Sequence, residues 1–229
     1  MKRYLAEFIG TFLLVFFGTG AILVNEVSKG AIAHIGICLA FSMTLAAVIY
    51  MLGDISGAHV NPAVSLGFWL TGRFPRKEFI YYAVSQTGGA LLASLVLKGL
   101  FPTDPTLASN APPFLPPLQA FLLEALLTCV LMFTILNVAT TDCKLCPKTG
   151  SPTVGVTIGF ILFAIAVVGG PLTGASLNPA RSIAPALITG SNLNYLWLYI
   201  FAPCLGALVA VPLFNLQRLS GSEVVVEEV

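Results

Sequence analysis

The chain has 229 residues, of which 57% are hydrophobic and only 9% charged, and its net charge is +1. Soluble domains carry about 25% charged residues, so this composition cannot give a globular protein a polar surface and predicts an integral membrane protein. The near-neutral charge leaves no basic face for nucleic acid, which is therefore excluded as a partner.

Six apolar segments are long enough to cross a bilayer, because a membrane-spanning helix needs about 20 mostly apolar residues. In chain order they cover residues 4–24, 33–53, 79–100, 118–139, 153–169 and 195–215. The first 25 residues have the basic start and apolar run of a signal peptide, but Glu7 interrupts that run. We expect this segment to be retained as the first span.

Two shorter apolar stretches, residues 62–70 and 179–188, lie between these spans, and each opens with Asn-Pro. Nine or ten helical residues rise about 14 Å, roughly half the hydrocarbon thickness. Asn61 and Asn178 are good N-caps, and a following Pro suits the first helical position, so each pair predicts the start of a half-helix. Two half-helices that enter from opposite sides meet near the midplane and complete one crossing.

An internal duplication relates the two halves of the chain at a constant offset of 117 residues. It aligns Asn61-Pro62-Ala63 with Asn178-Pro179-Ala180, and Glu7 with Glu124. Each repeat contains three full spans, an odd number, so the second repeat is inverted in the membrane. The predicted fold is an all-α membrane protein of six transmembrane helices and two re-entrant half-helices. We predict a single channel domain over residues 1–229. The first repeat covers about 4–101, the second covers about 118–216, and a cytoplasmic tail covers 217–229.

The positive charges predict the orientation of the chain, because Lys and Arg concentrate in cytoplasmic loops. An N-terminus on the inside places eight of the eleven cations on the cytoplasmic side: Lys2, Arg3, Arg73, Arg76, Lys77, Lys144, Lys148 and Arg218. Both termini are then cytoplasmic, and the Pro-rich loop from Pro102 to Pro117 is extracellular.

The duplicated Asn-Pro-Ala pattern resembles the aquaporin and glycerol-facilitator family, and the resemblance runs from Tyr4 to about Asn215. It implies an aquaporin-like channel in the cell membrane, without cofactors, that assembles as a homotetramer with one pore per subunit. The short tails and compact loops further suggest a microbial cytoplasmic membrane. The partners expected from the resemblance are water, small neutral solutes and lipid.

The paired Asn side chains predict a barrier to protons and cations at the midplane. Each cap uses the side-chain oxygen, so the NH2 groups of Asn61 and Asn178 are expected to remain free as donors. A water molecule that accepts from both turns its hydrogens away and interrupts a proton relay, and the two helix N-termini repel cations. By resemblance, the backbone before each Asn lines the pore with carbonyl groups, at Gly57, Ala58, His59, Val60, Gly174, Ser176 and Leu177.

Arg181 is the one cation firmly inside an apolar stretch, and such a charge usually faces a wet pathway. Resemblance makes it the arginine of the outer constriction of the family, with Phe41, Ala166 and Ala175 as its partners. Strict water channels typically have His at the position of Ala166, and glycerol facilitators typically place two aromatics in this ring. We therefore expect a wider opening than in a strict water pore. Ser182 replaces the Asp usual in glycerol facilitators, so the substrate prediction is mixed.

Several polar residues have two interpretations. Glu7 and Glu124 are expected to accept hydrogen bonds from the re-entrant loops, and the alternative is a proton-carrying role. Their duplication at equivalent positions favours the structural role. The His59 side chain is expected to be hydrogen-bonded, with pH gating as the alternative. His34 is interpreted as a polar helix end rather than a ligand.

The five cysteines do not form a disulfide framework. Cys38, Cys129 and Cys204 lie in apolar runs and are interpreted as small hydrophobic residues. Cys143 and Cys146 form a CxxC pair without a second ligand pair, which gives zinc little support. We interpret the pair as incidental and predict no metal site. A metal or redox role for Cys143 and Cys146 is the alternative.

The predicted function is passive transport of water, with small neutral solutes such as glycerol as further permeants and with protons and ions excluded. A glycerol facilitator that passes water secondarily is the first alternative. An ion-coupled secondary transporter also uses inverted repeats, but it needs an ionisable residue near the midplane, and Asp54 lies only at a loop edge. A structural membrane protein with a vestigial pore is a third alternative. An enzyme is not expected, since the sequence has no catalytic triad or phosphate loop.

Overall fold

The computed structural model describes residues 1–139 and 153–219. In these two ranges the chain consists of helices joined by loops. The helices are α1 (Lys2–Val27), α2 (Ala33–Ser56), α3 (Pro62–Leu70), α4 (Arg76–Leu100), α5 (Pro117–Ala139), α6 (Thr153–Thr173), α7 (Pro179–Thr189) and α8 (Leu196–Leu219). A single 3-10 turn, Leu193–Tyr195, precedes α8. The predicted Cys143–Cys146 pair, and the part of the predicted tail beyond Leu219, lie outside the described residues.

All six predicted spans and both predicted half-helices are confirmed, with ends that differ by up to four residues. In the part of the chain that the structure describes, six helices are long and apolar enough to cross a membrane, and α3 and α7 are not. The full helices extend past the apolar segments at several ends because polar residues such as Arg76 continue the helical turn beyond the hydrocarbon. This chain is therefore a multi-pass membrane protein.

The predicted end of α6, at residue 169, is too early. Gly169 is the first residue of a Gly-Gly-Pro run. The helix instead continues through Pro171 to Thr173. Proline has no N–H, so it leaves the carbonyl four residues earlier, that of Val167, without its helical donor. His34 Nε2 lies 3.0 Å from this carbonyl oxygen and supplies the missing hydrogen bond from α2. A contact from a distant part of the chain thus satisfies the carbonyl that Pro171 leaves without a donor.

The half-helices α3 and α7 together account for one membrane crossing. Their 9 and 11 residues rise about 30 Å in total, which matches the hydrocarbon thickness. Asn61 caps α3 by accepting from the Ala63 amide at 2.8 Å, and Asn178 caps α7 by accepting from the Ala180 amide at 3.0 Å. The sequence prediction of these two caps is confirmed.

Glycines at equivalent positions of the two repeats let pairs of helices touch through their backbones. A Cβ atom at Gly89 of α4 would collide with the carbonyl oxygen of Phe8 in α1. A Cβ at Gly206 of α8 would collide with the carbonyl oxygen of Ala125 in α5, which lies 117 residues after Phe8. Small residues allow such close approach in membranes, where van der Waals packing drives helix association. The α1–α4 and α5–α8 pairs therefore pack in the same way.

Two glycines on α6, Gly155 and Gly159, also allow close packing against another helix. A Cβ at Gly159 would lie 3.0 Å from the carbonyl oxygen of Ser42 in α2, and one at Gly155 would lie 3.1 Å from that of Ala46. These contacts join α2 of the first repeat to α6 of the second. The two repeats are thus held together along one side of the space that the half-helices occupy.

Candidate solute pore

One cavity of about 380 Å³ lies along the half-helices, from the loop between α4 and α5 to the far ends of α5 and α6. We call its end at Glu26, Thr106 and Pro113 the outer mouth, because the charge pattern predicts that this side is extracellular. The side chains in the opposite half of the cavity are mostly apolar: Leu45, Ile49, Val64, Phe68, Leu131, Ile135, Ile158 and Leu162. The re-entrant loop of residues 57–60 is the polar part of that wall.

Most of the predicted pore residues line this cavity. They are Phe41, Gly57, Ala58, His59, Val60, Asn61, Ala166, Gly174, Ala175, Ser176, Leu177, Asn178 and Arg181. The cavity lining does not include Pro62, Ala63, Pro179 and Ala180, which are buried in protein. They form the first turns of α3 and α7, where the two alanines pack into apolar clusters behind the cavity wall. Of the Asn-Pro-Ala triplets, only the asparagines reach the cavity.

The two asparagines are tied to each other's loops. Asn61 Nδ2 donates to the carbonyl oxygen of Leu177 at 2.8 Å, and Asn178 Nδ2 donates to that of Val60 at 2.8 Å. The prediction that both NH2 groups are wholly free is therefore wrong, because each uses one hydrogen across the repeat interface. An amide NH2 group carries two hydrogens, so one N–H on each side chain is left for a solute.

The loops before the asparagines hold a strained backbone in a duplicated pattern. Ala58 and Val60 have φ of 47° and 43°, and Ala175 and Leu177 have φ of 39° and 55°. The left-handed region costs a non-glycine residue about 1–2 kcal/mol. Such residues persist only where their surroundings fix them. The fixing groups in this case are two buried carboxylates.

Glu7 of α1 holds the first loop. Its Oε1 atom accepts from the Ser56 hydroxyl at 2.7 Å and the His59 amide at 2.9 Å. Its Oε2 atom accepts from the Val60 amide at 2.7 Å and from Gln86 Nε2 at 2.7 Å. Glu7 is fully buried, so these four donors replace water around the carboxylate.

Glu124 of α5 holds the second loop in the same way. Its Oε1 atom accepts from the Thr173 hydroxyl at 2.6 Å and the Ser176 amide at 3.0 Å, and its Oε2 atom accepts from the Leu177 amide at 2.9 Å. The position equivalent to Gln86 is Pro203, which has no side-chain donor. The second carboxylate therefore has one donor fewer.

A tyrosine pair that the sequence analysis overlooked fixes the helix ends leading into these loops. Tyr82 Oη donates to the carbonyl oxygen of Ser56 at 2.7 Å, and Tyr199 Oη donates to that of Thr173 at 2.7 Å. The two tyrosines are 117 residues apart, and so are Ser56 and Thr173, whose carbonyl groups accept from them. The repeat offset itself was thus a signal by which these tyrosines could have been found.

Arg181 faces the cavity from the first turn of α7 with its side chain almost fully buried. Its Nη1 atom donates to the carbonyl oxygen of Ala108 at 2.9 Å and to Oδ1 of Asn110. The guanidinium lies 5.8 Å from the ring centroid of Phe41. Asn110 Oδ1 also accepts from the Ser182 hydroxyl at 2.9 Å. The guanidinium is thus oriented by hydrogen bonds on one side and faces an aromatic ring on the other.

Asn110, which contacts the guanidinium, could not be found by sequence reasoning. It lies in the loop of residues 101–116, which has no counterpart in the other repeat. Asp104 shapes this loop by accepting from the amides of Thr106 at 2.9 Å and Leu107 at 2.6 Å. Burial raises the pKa of the Asp104 carboxyl, but hydrogen bonds including those from the two amides outweigh burial, and the pKa lies below its ordinary value. The carboxylate therefore stays charged and holds the loop over Arg181.

The comparison with known proteins identifies the family. The family model of the major intrinsic proteins matches residues 1–214. The chain belongs to the major intrinsic protein family. It is 41% identical over 226 residues to Aquaporin NIP1-4 of Oryza sativa subsp. japonica, which covers 96% of this chain and 78% of that relative. It is 37% identical over 218 residues to Nodulin-26 of Glycine max, covering 95% and 78% of the two chains.

A solved structure of a major intrinsic protein shows the same architecture. The aquaglyceroporin from Plasmodium falciparum superposes with a TM-score of 0.82 at 25% sequence identity, over 94% of this chain and 98% of that one. Both comparisons confirm the aquaporin-like fold predicted from the duplicated motifs. They also confirm that the chain is a membrane channel and not an enzyme.

His59 of this major intrinsic protein is enclosed by aromatic rings. Its ring stacks on Phe68 with centroids 4.5 Å apart and meets the edges of Phe74 and Tyr82 at 4.9 and 5.2 Å. Its Nδ1 atom lies 3.0 Å from the hydroxyl oxygen of Ser65. The side chain is thus hydrogen-bonded and packed, the arrangement expected of a wall residue rather than of a mobile gate.

Proposed function

We propose that the chain is a passive channel for water and small neutral solutes such as glycerol, and that it excludes protons and ions. The carrying observation is the position of Arg181, the one Lys or Arg side chain among the described residues that line the cavity. Its buried guanidinium, held by Ala108 and Asn110, places a positive charge on the path of every solute. Membership in the major intrinsic protein family supports the same conclusion.

Proton exclusion follows from the two asparagines. After the bonds to Val60 and Leu177, Asn61 and Asn178 each retain one N–H that is available to a passing water molecule. A water molecule that accepts from both has its hydrogens directed along the cavity and no lone pair for a proton from its neighbour. The helix N-termini behind the asparagines add positive partial charge at the same place. A hydrogen-bonded chain of water is therefore interrupted there.

Ion exclusion also follows from the hydrophobic half of the cavity. Apart from the loop of residues 57–60, its walls are aliphatic and aromatic side chains such as Ile49 and Leu162, which cannot replace the hydration shell of an ion. A neutral molecule pays a smaller desolvation cost in the same space. The polar outer half and apolar inner half thus suit a solute that needs few hydrogen bonds.

Permeation of small solutes is supported by the side chains around Arg181. Ala166 and Ala175 contribute only methyl groups to the cavity wall, and Phe41 is the one aromatic that faces the guanidinium. A linear polyol can place hydroxyl groups toward Arg181 and carbon atoms toward the methyl groups and the ring. Glycerol as the principal permeant is the second candidate function. The likeness to an aquaglyceroporin structure favours it.

The carboxylates do not support ion-coupled transport. Glu26 is the one carboxylate in the cavity lining within residues 1–139 and 153–219, and it lies at the outer mouth. Glu7 and Glu124 are outside the cavity wall, and each is occupied by donors from a re-entrant loop. We therefore assign the two buried glutamates a structural role.

The proposal includes the topology and assembly of the channel. Lys2, Arg3, Arg73, Arg76 and Lys77 lie at the membrane side opposite the outer mouth, which supports cytoplasmic termini in a plasma membrane. The family resemblance supports a homotetramer, with each chain a single channel domain of two repeats. Cross-linking in native membranes tests the oligomer, and protease access to sealed vesicles tests the topology.

The proposed filter is tested by Ala166→His in proteoliposomes. The imidazole narrows the cavity beside Arg181. Glycerol flux is therefore expected to fall more than about ten-fold, because a steric barrier of about 1.4 kcal/mol already slows passage ten-fold. Water flux is expected to stay within about three-fold of the wild-type value. Light scattering after an impermeant osmotic shock measures water, and re-swelling in a glycerol gradient measures glycerol. Ala202→His, at a buried position away from the cavity lining, is the control for general damage. Equal loss of both fluxes in Ala166→His, with normal protein yield, contradicts the assignment.

A further inference from the structure

One face of α1 borders the cavity, and this face has a gap in its middle. Leu14 and Ile22 both line the cavity. Gly18 lies four residues from each of them, so the three residues share one helix face. Gly18 has no side chain to fill the space between the other two, and it is buried. The ring of Phe41, which belongs to α2, covers this gap.

The Phe41 ring lies directly against the backbone of Gly18. A Cβ atom at Gly18 would overlap Cδ1 and Cε1 of the ring and would lie 2.6 Å from its Cζ atom. At Gly89 and Gly206, by contrast, the nearest atom is a backbone carbonyl oxygen of the neighbouring helix. Gly18 therefore makes room for one side chain, whereas the other two glycines make room for a helix.

The second repeat has no counterpart of this arrangement. At the offset of 117 residues, Gly18 corresponds to Ile135 and Phe41 to Ile158, and both isoleucines line the inner half of the cavity. The shared architecture of the repeats therefore does not require a glycine at this position. A glycine in a helix interior costs about 1 kcal/mol relative to alanine, so its presence in α1 calls for a packing reason. The aromatic ring of the outer half supplies that reason.

The position of the Phe41 ring determines how much space remains beside Arg181. The guanidinium lies 5.8 Å from the ring centroid, and both residues line the cavity. Non-bonded carbon atoms pack about 3.5–4.0 Å apart, so a methyl group at Gly18 would displace the ring by about 1 Å. Because α1 closes the other side, the displaced ring moves into the cavity. The opening beside Arg181 then becomes narrower.

We propose that Gly18 is a positioning residue of the filter, and that the gap it leaves in α1 sets the width of the opening by holding the Phe41 ring away from Arg181. Gly18 touches no solute and acts through Phe41. A larger residue at this position therefore selects against larger solutes before it affects smaller ones. This role rests on the proposed function, because it concerns the passage of neutral solutes through that opening.

Gly18→Ala tests this role in proteoliposomes, with water, urea and glycerol as the permeants. Flux of the largest of these that the wild type passes is expected to fall at least about five-fold, because pore diameter limits passage, and flux of any smaller one is expected to fall less. Gly20→Ala on the same helix is the control, since a Cβ atom there would lie 3.4 Å from Leu97 Cδ2, an ordinary contact. Wild-type flux of every permeant through Gly18→Ala overturns the proposal, and so does an equal fall of two or more permeants.

Phe41→Val distinguishes the action through the ring from general damage. Valine lacks all three ring atoms that a Cβ atom at Gly18 would meet. In the Phe41→Val background, Gly18→Ala is therefore expected to change each flux by less than about two-fold, as a double-mutant cycle of two contacting residues requires. A loss of the largest permeant that is as great in this background as in the wild type overturns the proposal.

Thermal unfolding of the same four proteins tests the contact without any flux. Gly18→Ala is expected to lower Tm, because overpacking a buried site is destabilising, and to lower it less in the Phe41→Val background. A Gly18→Ala chain that folds only in that background also supports the contact. Additive changes in Tm overturn it. A wild type that passes none of the three permeants contradicts the proposed function, while the Tm values still decide whether the ring occupies the gap at Gly18.

Discussion

Replacement of Glu124 by glutamine removes one acceptor from the second re-entrant loop without changing the size of the side chain. With its oxygen at the Oε1 position, the new amide still accepts from Thr173 and Ser176. Its NH2 group then faces the Leu177 amide, two donors against each other. Two buried donors, the Leu177 amide and the new NH2 group, are then unsatisfied at about 1–3 kcal/mol each, and the two remaining hydrogen bonds each lose about 1 kcal/mol of charge assistance. We expect a total destabilisation of about 4–8 kcal/mol.

Glu7→Gln is the matched comparison, and we expect it to cost about 1–3 kcal/mol less than Glu124→Gln. Its new NH2 group faces Gln86, whose side-chain oxygen has no hydrogen-bond partner in the described structure. Reorientation of that amide therefore offers an acceptor to the new NH2 group. Pro203 occupies the equivalent position in the second repeat and offers none.

Thermal unfolding in detergent, followed by the fluorescence of Trp69 and Trp197, measures these differences. For a chain of this size, 1 kcal/mol shifts Tm by about 2–4 °C, so Glu124→Gln is expected to lower Tm by about 8–32 °C. Asp54→Asn, which changes an exposed carboxylate, serves as the control and is expected to leave Tm unchanged. A Tm for Glu124→Gln equal to that of the wild type would refute the reasoning, because it would mean that the carboxylate does not hold the loop.

Three further substitutions test other parts of the pore. Arg181→Val is expected to raise cation leak through proteoliposomes more than about ten-fold while water still passes, since a charge at membrane depth is worth about 2.5 kcal/mol or more; an unchanged leak contradicts the filter. Asn110→Ala removes an acceptor worth about 1.5–3 kcal/mol from the guanidinium and is expected to raise the ratio of glycerol to water flux, and a constant ratio would show that Ala108 alone positions Arg181. Gly206→Ala is expected to cost about 1–3 kcal/mol of stability because a backbone carbonyl blocks the new methyl group. The control Gly99→Ala, where nothing lies nearby, is expected to cost nothing. Equal Tm values for the two variants would exclude the close contact at Gly206.

The helices and the half-helix caps were predictable because their causes are local or repeated. Asn61 and Asn178 are caps that act within one turn, and the offset of 117 residues transfers each inference from one repeat to the other. The tyrosines Tyr82 and Tyr199 were within reach of the same offset. The end of α6 was not predictable in this way. A Gly-Gly-Pro run usually ends a helix, but here His34 of α2 supplies the hydrogen bond that Pro171 removes.

The filter could be predicted only in part. The spacing placed Phe41, Ala166, Ala175 and Arg181 by resemblance, and the structure brings all four to one cavity. Asn110 was unpredictable because its loop is unique to the first repeat and its contact with Arg181 spans 71 residues. The bonds by which the asparagines join the two loops were missed because a side chain that caps its own helix appears locally complete.

The central claim, a passive pore that passes neutral solutes and excludes protons, is tested most directly in one preparation. Sealed proteoliposomes carry an internal pH dye, and a proton gradient is imposed together with a tracer amount of glycerol. The account predicts fast osmotic shrinkage, tracer glycerol that equilibrates without accumulating, and a pH gradient that decays no faster than in protein-free vesicles. Accumulation of glycerol against its own gradient, or rapid collapse of the pH gradient, would contradict it.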